Sequence, residues 1–365
     1  MNGVLSINGA ILDDTKLREV FKAQYQQLLN KLTIRTKRKI GFDLIAKIFK
    51  YDVVDGHKII HLPRSVSEVL MDNGIVAEYI NTIPDGRVVQ FEFEGELFDN
   101  QTLIIDHLMT GYFNDTRQEE GFATAVLNMA AGLGKTWLAA GLIAKIRRNT
   151  LFIVMRKKLQ LQAAQDLQEC FPRASIVHPD GTTDAEKYAR GSDIVVMVID
   201  SAMRLTDSFF GLFGFIIFDE IHMYASKRRS EIFWKSQVRC VLGMSATTNE
   251  RIDKFDAVYY KHLGKPIHAS QIPGYTVADA KFTGKVRVVK YFGEEQYTRK
   301  IINETTGYVN FDAMLNQFIN DPVRNKVCVD EILRLYDDKT HQRYIFGFSD
   351  RREHLMTIQN LLTVE

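Results

Sequence analysis

A doubly wound, mainly parallel α/β sheet of the nucleotide-binding kind, preceded by a small α+β region, is the fold class this sequence predicts. Three observations carry the prediction. From about residue 97, short continuous apolar runs alternate with helical patterns, as expected for parallel strands covered on both faces. One run leads into the loop Asn128-Met-Ala-Ala-Gly-Leu-Gly-Lys-Thr136, which opens a helix. Another, Phe215-Ile-Ile-Phe218, ends in Asp219-Glu220-Ile221-His222.

The 365 residues are 45% hydrophobic and 25% charged, which excludes a disordered chain, a collagen-like repeat and a disulfide mini-protein. No stretch approaches about 18 uninterrupted apolar residues, so no transmembrane helix is expected. The start, MNGVLSINGAILDD, lacks the basic-then-apolar pattern of a secretory signal. Cys170, Cys240 and Cys328 lie far apart without CxxC spacing. They read as reduced thiols of a cytoplasmic protein.

Taken in order, residues 1–95 predict an accessory α+β domain. A helical pattern runs from Thr15 to Leu32, and strand-like runs follow at His57–Leu62 and Val88–Phe93. Residues 96–278 predict the nucleotide-binding domain. Its expected strands are Ala123–Asn128, Leu151–Met155, Ser175–His178, Asp193–Ile199, Phe215–Phe218 and Cys240–Met244. Its expected helices are Lys135–Arg147, Lys157–Cys170, Ala185–Arg190 and Arg229–Lys235. Residues 279–365 predict the start of a second α/β domain, with strands at Lys285–Tyr291 and Arg343–Phe348 and helices at Phe311–Phe318 and Arg324–Tyr336.

The 128–136 loop suits phosphate. Its glycines, Gly132 and Gly134, permit a tight loop whose backbone N–H groups, across Met129, Ala130, Ala131, Gly132, Leu133 and Gly134, turn toward phosphate oxygens. Lys135 reaches the β- and γ-phosphates, and the Thr136 hydroxyl suits Mg²⁺. The strict GxxxxGK[ST] pattern has glycine where this chain has Met129. Asp219, at the tip of an apolar strand, suits a second magnesium ligand, and Glu220 suits orientation and activation of the attacking water. ATP and Mg²⁺ are the expected cofactors. A basic stretch between Lys31 and Arg64 places nine Lys and Arg against three Asp. Arg35, Lys37, Arg38 and Lys39 within it are candidates for a nucleic-acid backbone, the alternative being a solvated face.

Gly134-Lys-Thr136, Asp219-Glu-Ile-His222 and Ser245-Ala-Thr247, in this order, resemble motifs I, II and III of superfamily 2 DExH-box helicases, whose nucleotide domain is RecA-like. Val154-Met-Arg-Lys-Lys-Leu159-Gln-Leu-Gln162 resembles motif Ia, with Met155 in place of proline. Leu97-Phe-Asp-Asn-Gln101 resembles the segment whose glutamine reads adenine, and only Gln101 carries over. The Val198–Ser201 region stands at motif Ib without its usual threonine. Phe346–His354 resembles motif IV, and Asp321-Pro-Val-Arg-Asn325 resembles the helix before it in phage and viral branch-migration helicases of the UvsW-like and RecG-like branch.

The resemblance implies that His222, Ser245, Ala246 and Thr247 couple ATP state to the moving strand. It implies that Arg156, Lys157, Gln162 and Ser201 grip one strand by its phosphates. The function it implies is an ATP-dependent helicase or translocase on branched or duplex DNA, monomeric and independent of sequence, in branch migration, recombination or fork processing. RNA remains open as a substrate. The rivals are a Snf2-like duplex translocase and a nucleotide-gated binding module without turnover. Motifs V and VI, with their arginine finger, are not found, so the second lobe is expected to be only begun and residues 1–365 weakly active by themselves. If the source is a virus or phage, the expected location is the host cytoplasm.

Overall fold

The computed structural model describes residues 1–36, 44–90, 92–247, 251, 253–276, 287–304, 307–337 and 344–364. Residues 1–279 cluster as one compact unit and residues 280–365 as another.

The N-terminal part of the first unit contains strands β1 (Asn2–Ser6), β2 (Gly9–Asp13), β3 (Thr33–Thr36), β4 (Leu44–Lys47), β5 (Lys50–Val54), β6 (His57–Leu62) and β7 (Glu78–Asn81). Five form a sheet in the order β5-β6-β2-β1-β7, antiparallel except for β1 and β7. The strands β3 and β4 pair separately. Their Ile34, together with Ile48 just after β4, packs into the core of the nucleotide-binding sheet rather than into the N-terminal one. The helix expected over 15–32 is broken in two, Asp14–Phe21 and Tyr25–Lys31, by a 3₁₀ turn over Lys22–Gln24, which Lys22 opens with a positive φ of 45°. Asp13 caps the first piece by accepting from the Lys16 N–H. The expected strand at 88–93 is not formed among its described residues: Val88 makes only an isolated bridge to Arg148.

Seven parallel strands follow: β8 (Thr124–Asn128), β9 (Thr150–Val154), β10 (Ile176–Val177), β11 (Ile194–Val198), β12 (Phe215–Asp219), β13 (Cys240–Ser245) and β14 (Pro266–His268). Their order is β10-β11-β9-β12-β13-β8-β14. Alternate residues of the central strands enter opposite cores because successive side chains of a strand point to opposite faces. Phe215 and Ile217 join the helices Asp99–Gly111, Lys135–Ile146 and Lys157–Cys170 on one face. Ile216 and Phe218 join the 3₁₀ turn Arg229–Trp234 and the helix Ala257–Leu263 on the other. This is the expected doubly wound, RecA-like sheet.

The N-terminal part is tied to this sheet by polar contacts. Gln237 N–H donates to the Ile7 carbonyl at 3.1 Å, Asn8 Nδ2 donates to the Trp234 carbonyl at 2.7 Å, and Arg64 donates to the Val238 carbonyl at 2.7 Å. Arg64 is fully buried, and that burial pushes its guanidinium down to about 9.

In the second unit, helices span Phe311–Ile319, Pro322–Asp337 and Arg352–Val364. Asp321 Oδ1 caps the middle one by accepting from Val323 and Arg324 N–H. Asn325 Oδ1 lies 3.1 Å from His354 Nε2, and His354 Nδ1 lies 2.9 Å from Ser349 Oγ, so the 321–325 and 346–354 segments are physically joined. The described residues of the two expected strands, 287–291 and 344–348, have no ladder partner; Lys285, Val286 and Arg343 lie outside the described residues. A run with strand composition forms a strand only where a neighbour supplies its hydrogen bonds. All three cysteines are free thiols, those of Cys170 and Cys240 buried.

Candidate nucleotide-binding site

Every residue proposed from the nucleotide-binding sheet falls at its carboxyl edge or on the helix entered from it. The strand order lays them out in sequence: Ser201 beyond β11, then Arg156 and Lys157 beyond β9, Asp219 and Glu220 at β12, Ser245 at the end of β13, and the 128–136 loop beyond β8. Open α/β sheets bind ligands along this edge. The phosphate-type elements occupy β12, β13 and β8, while Arg156, Lys157 and Ser201 stand on the β9 and β11 side.

The loop is shaped by its glycines. Gly132 and Gly134 take positive φ values of 79° and 74°, which favour glycine. At Gly134 there is a second reason: a Cβ would stand 2.5 Å from Gln101 Nε2. Lys135 begins the helix, and its ammonium lies 2.7 Å from Glu220 Oε1. Met129 departs from the expectation for a loop residue. Its side chain is 2% exposed in the core, and its N–H donates to the Ser245 carbonyl at 2.9 Å, so that N–H is committed away from phosphate. Ala130, Ala131 and Gly132 are exposed, and Leu133 to Thr136 half-buried.

Glu220 follows the last residue of β12 with a positive φ of 50°, a costly backbone state for a non-glycine residue that turns its carboxylate back over the sheet edge. Beside it, Asp219 has a carboxyl pushed up to about 6, first by burial and then by the Glu220 charge. His222 Nδ1 lies 2.8 Å from Ser245 Oγ and 3.4 Å from Glu220 Oε2, and burial lowers its imidazole, favouring the neutral ring. Ser245 Oγ is 3.1 Å from both the N–H and the carbonyl of Thr247, and 3.5 Å from Glu220 Oε2. Ser245 is therefore a junction: its hydroxyl meets the acidic motif and its carbonyl holds the start of the phosphate loop. At Gly243, a Cβ would meet Ile221 at 2.2 Å, so the close approach of β13 to the 221–224 turn depends on that glycine.

Thr136 and Asp219 supply a hydroxyl and a carboxylate, the hard oxygen donors that magnesium takes along with phosphates and water. Asp219, crowded by the Glu220 charge, fits a divalent cation. Among the described residues no cluster of three His, Cys, Asp or Glu could hold a metal.

Other candidates are more scattered. Lys157 pairs with Asp180 at 2.5 Å on the surface, Arg156 and Gln162 are exposed, and Ser201 is half-buried. Within the basic stretch, Arg35 is exposed on β3; Lys37, Arg38 and Lys39 lie outside the described residues. Lys50 pairs with Glu231 at 2.8 Å, Lys58 with Asp14 at 3.5 Å, and Arg64 is buried. The sequence reading missed a cavity of about 730 Å³ beside the loop, lined in part by Gly95, Phe98, Gln101, Gly134 and Trp137. Trp137 is half-buried in that wall. Its position two residues after the Lys135 of the loop was the available signal.

Residues 94–250 match the family described as the type III restriction enzyme, res subunit. QP509L of African swine fever virus, whose name proposes an ATP-dependent RNA helicase, is 29% identical over 262 residues, covering 71% of this chain and 48% of that protein. A protein of Escherichia phage T5 whose name proposes a helicase is 25% identical over 261 residues, covering 66% and 57%. The crystal structure of the UvsW helicase of bacteriophage T4 aligns over 68% of this chain and 93% of its own, with 15% identity and a TM-score of 0.45. The chain spans about half the length of the first curated relatives it matches. The ordered site motifs and these sequence likenesses support a superfamily 2 helicase resembling those of phages and viruses.

Proposed function

We propose that this chain carries the ATP-hydrolysing lobe of a helicase or translocase that moves along DNA, branched or duplex, independently of sequence. The observation that supports this best is the convergence of Lys135, Glu220, His222 and Ser245 at one sheet edge. In this reading Lys135 holds the β- and γ-phosphate oxygens, for which the Glu220 carboxylate is a chemically similar partner. Glu220 orients the attacking water and takes its proton. Thr136 and Asp219 would hold Mg²⁺, which supplies charge neutralisation to the phosphates. Through Ser245, a change at Glu220 reaches both β13 and the phosphate loop. Arg156, Lys157, Gln162 and Ser201, on the β9 and β11 side, would track one strand by its phosphates.

A second reading, RNA as the track, is favoured by the name of the African swine fever virus relative. Steady-state ATP hydrolysis by the gene product, measured with single-stranded, duplex and branched DNA and with RNA, tests both. The proposal expects stimulation by DNA regardless of sequence, weakening as salt rises. Stimulation by RNA alone would favour the second reading, and none by any nucleic acid would overturn the proposal.

A further inference from the structure

We propose that Gln101 is a positioning residue for the phosphate loop and not a reader of the base, so that the site selects weakly among purine nucleoside triphosphates. The inference rests on the 128–136 loop being the phosphate site.

The argument is a count of hydrogen-bonding capacity. A primary amide has two N–H groups and one carbonyl oxygen. Gln101 Nε2 donates to the Leu133 carbonyl at 3.0 Å and to the Gly134 carbonyl at 3.1 Å. Its Oε1 accepts from the Phe98 N–H at 2.9 Å, closing the start of the helix Asp99–Gly111. To read adenine, an amide must accept from the exocyclic amine and donate to the ring nitrogen beside it. Both Nε2 N–H groups and one of the two Oε1 lone pairs are engaged inside the protein, so the amide has no donor left for the ring nitrogen, and the residue is 2% exposed. Its bonds fall on the two residues just before Lys135. The amide therefore fixes the carbonyl side of the loop, leaving the N–H side free for phosphate.

A base still has a place beside the loop. The cavity of about 730 Å³ holds Phe98, which is 76% exposed, and the half-buried Trp137. A side chain at Gly95 would collide with the rings of Phe93 and Trp137, at 2.7 and 2.8 Å, so glycine keeps that wall open. Ring contacts accept any purine, because every base has a π face.

The test is equilibrium binding of Mg–ATP, Mg–GTP and Mg–tripolyphosphate to the 365-residue chain, to Gln101→Met and to Phe98→Ala. Gln101→Met keeps the volume and removes the hydrogen bonds. It should weaken all three ligands by a common factor of about 10, as expected for loss of loop-fixing hydrogen bonds, with the ATP-to-GTP ratio unchanged. Phe98→Ala, at an exposed site that folding does not need, should weaken ATP and GTP alike by about 10-fold and leave tripolyphosphate unchanged. Unchanged tripolyphosphate binding by Gln101→Met, or a fall of ATP to the GTP level, would overturn the proposal. If Gln101→Met does not fold, Phe98→Ala decides alone: an altered ATP-to-GTP ratio, or no effect on either nucleotide, overturns it. Failure of the parent chain to bind tripolyphosphate or either nucleotide would overturn the phosphate-site reading, and the proposal with it.

Discussion

The carboxyl edge of the seven-stranded sheet and the basic stretch of residues 31–64 both gather charged side chains, but the fold treats them in opposite ways. At the edge, Lys135 and Glu220 stand 85 positions apart in the chain and meet at 2.7 Å. Among the described residues of the basic stretch, neighbours in sequence are dispersed: Arg35 to the surface, Lys50 and Lys58 to separate acidic partners, Arg64 into the interior. Charge that follows a parallel strand converges, because parallel strands end on a common edge. Charge spread over a hairpin, an edge strand and a helix start does not. A local excess of positive charge is thus a weaker guide to a site than charge placed at strand ends.

The largest test of this contrast is Glu220→Gln. It keeps the shape and removes the base, so ATP binding should persist while hydrolysis falls by about 10²–10⁴. Loss of nucleotide binding would make Glu220 a metal ligand or a structural acid, and the convergence would need another purpose.

A second test addresses the seam between the two regions. His262 is fully buried, 5.6 Å from the Phe233 ring and 4.6 Å from the Trp234 ring, with neither ring nitrogen hydrogen-bonded. Burial, with Lys50 and Arg64 nearby, pushes it down to about 3. In the unfolded chain the ring takes a proton below about 6.5, while the folded chain resists until about 3. The stability it contributes is therefore intact above 6.5 and lost as pH falls toward 3, by up to about 1.4 kcal/mol per pH unit. Denaturant unfolding of His262→Leu should show a shallower loss between pH 6.5 and 5 than the parent. Parallel curves would remove His262 from the account.

The smallest expected effect is in the basic stretch. Arg35→Ala should lower the slope of log affinity against log salt for DNA by about 0.9 if Arg35 neutralises one phosphate. Neutralising Lys37, Arg38 and Lys39 as well should deepen the effect. An unchanged slope would return the stretch to a solvated face and sharpen the comparison further.

Legibility followed the same division. The strands β8, β9, β11, β12 and β13 and the helix Lys157–Cys170 were readable to within a residue or two, since continuous apolar runs mark strands buried on both faces. The N-terminal α+β region was readable only as a class. Its helix breaks at Lys22, and β5 carries no buried residue, so no periodicity announced either. The short strand β14 was missed because Pro266-Ile-His268 is too brief to show a pattern. At the site, Lys135, Asp219 and Glu220 were legible because loop and strand-end chemistry is local. The engagement of Met129 with Ser245, and of Gln101 with the loop carbonyls, was not, since each depends on a partner far away in sequence.

The central claim is that the loop beyond β8 binds nucleotide through Lys135. Calorimetric titration of Mg–ATP into the parent chain and Lys135→Ala, with melting curves run beside them, tests it most directly. Loss of a charge-assisted contact worth about 1.5–3 kcal/mol predicts affinity reduced roughly 10–150-fold, with an unchanged melting curve. Equal affinities in the two folded proteins would contradict it.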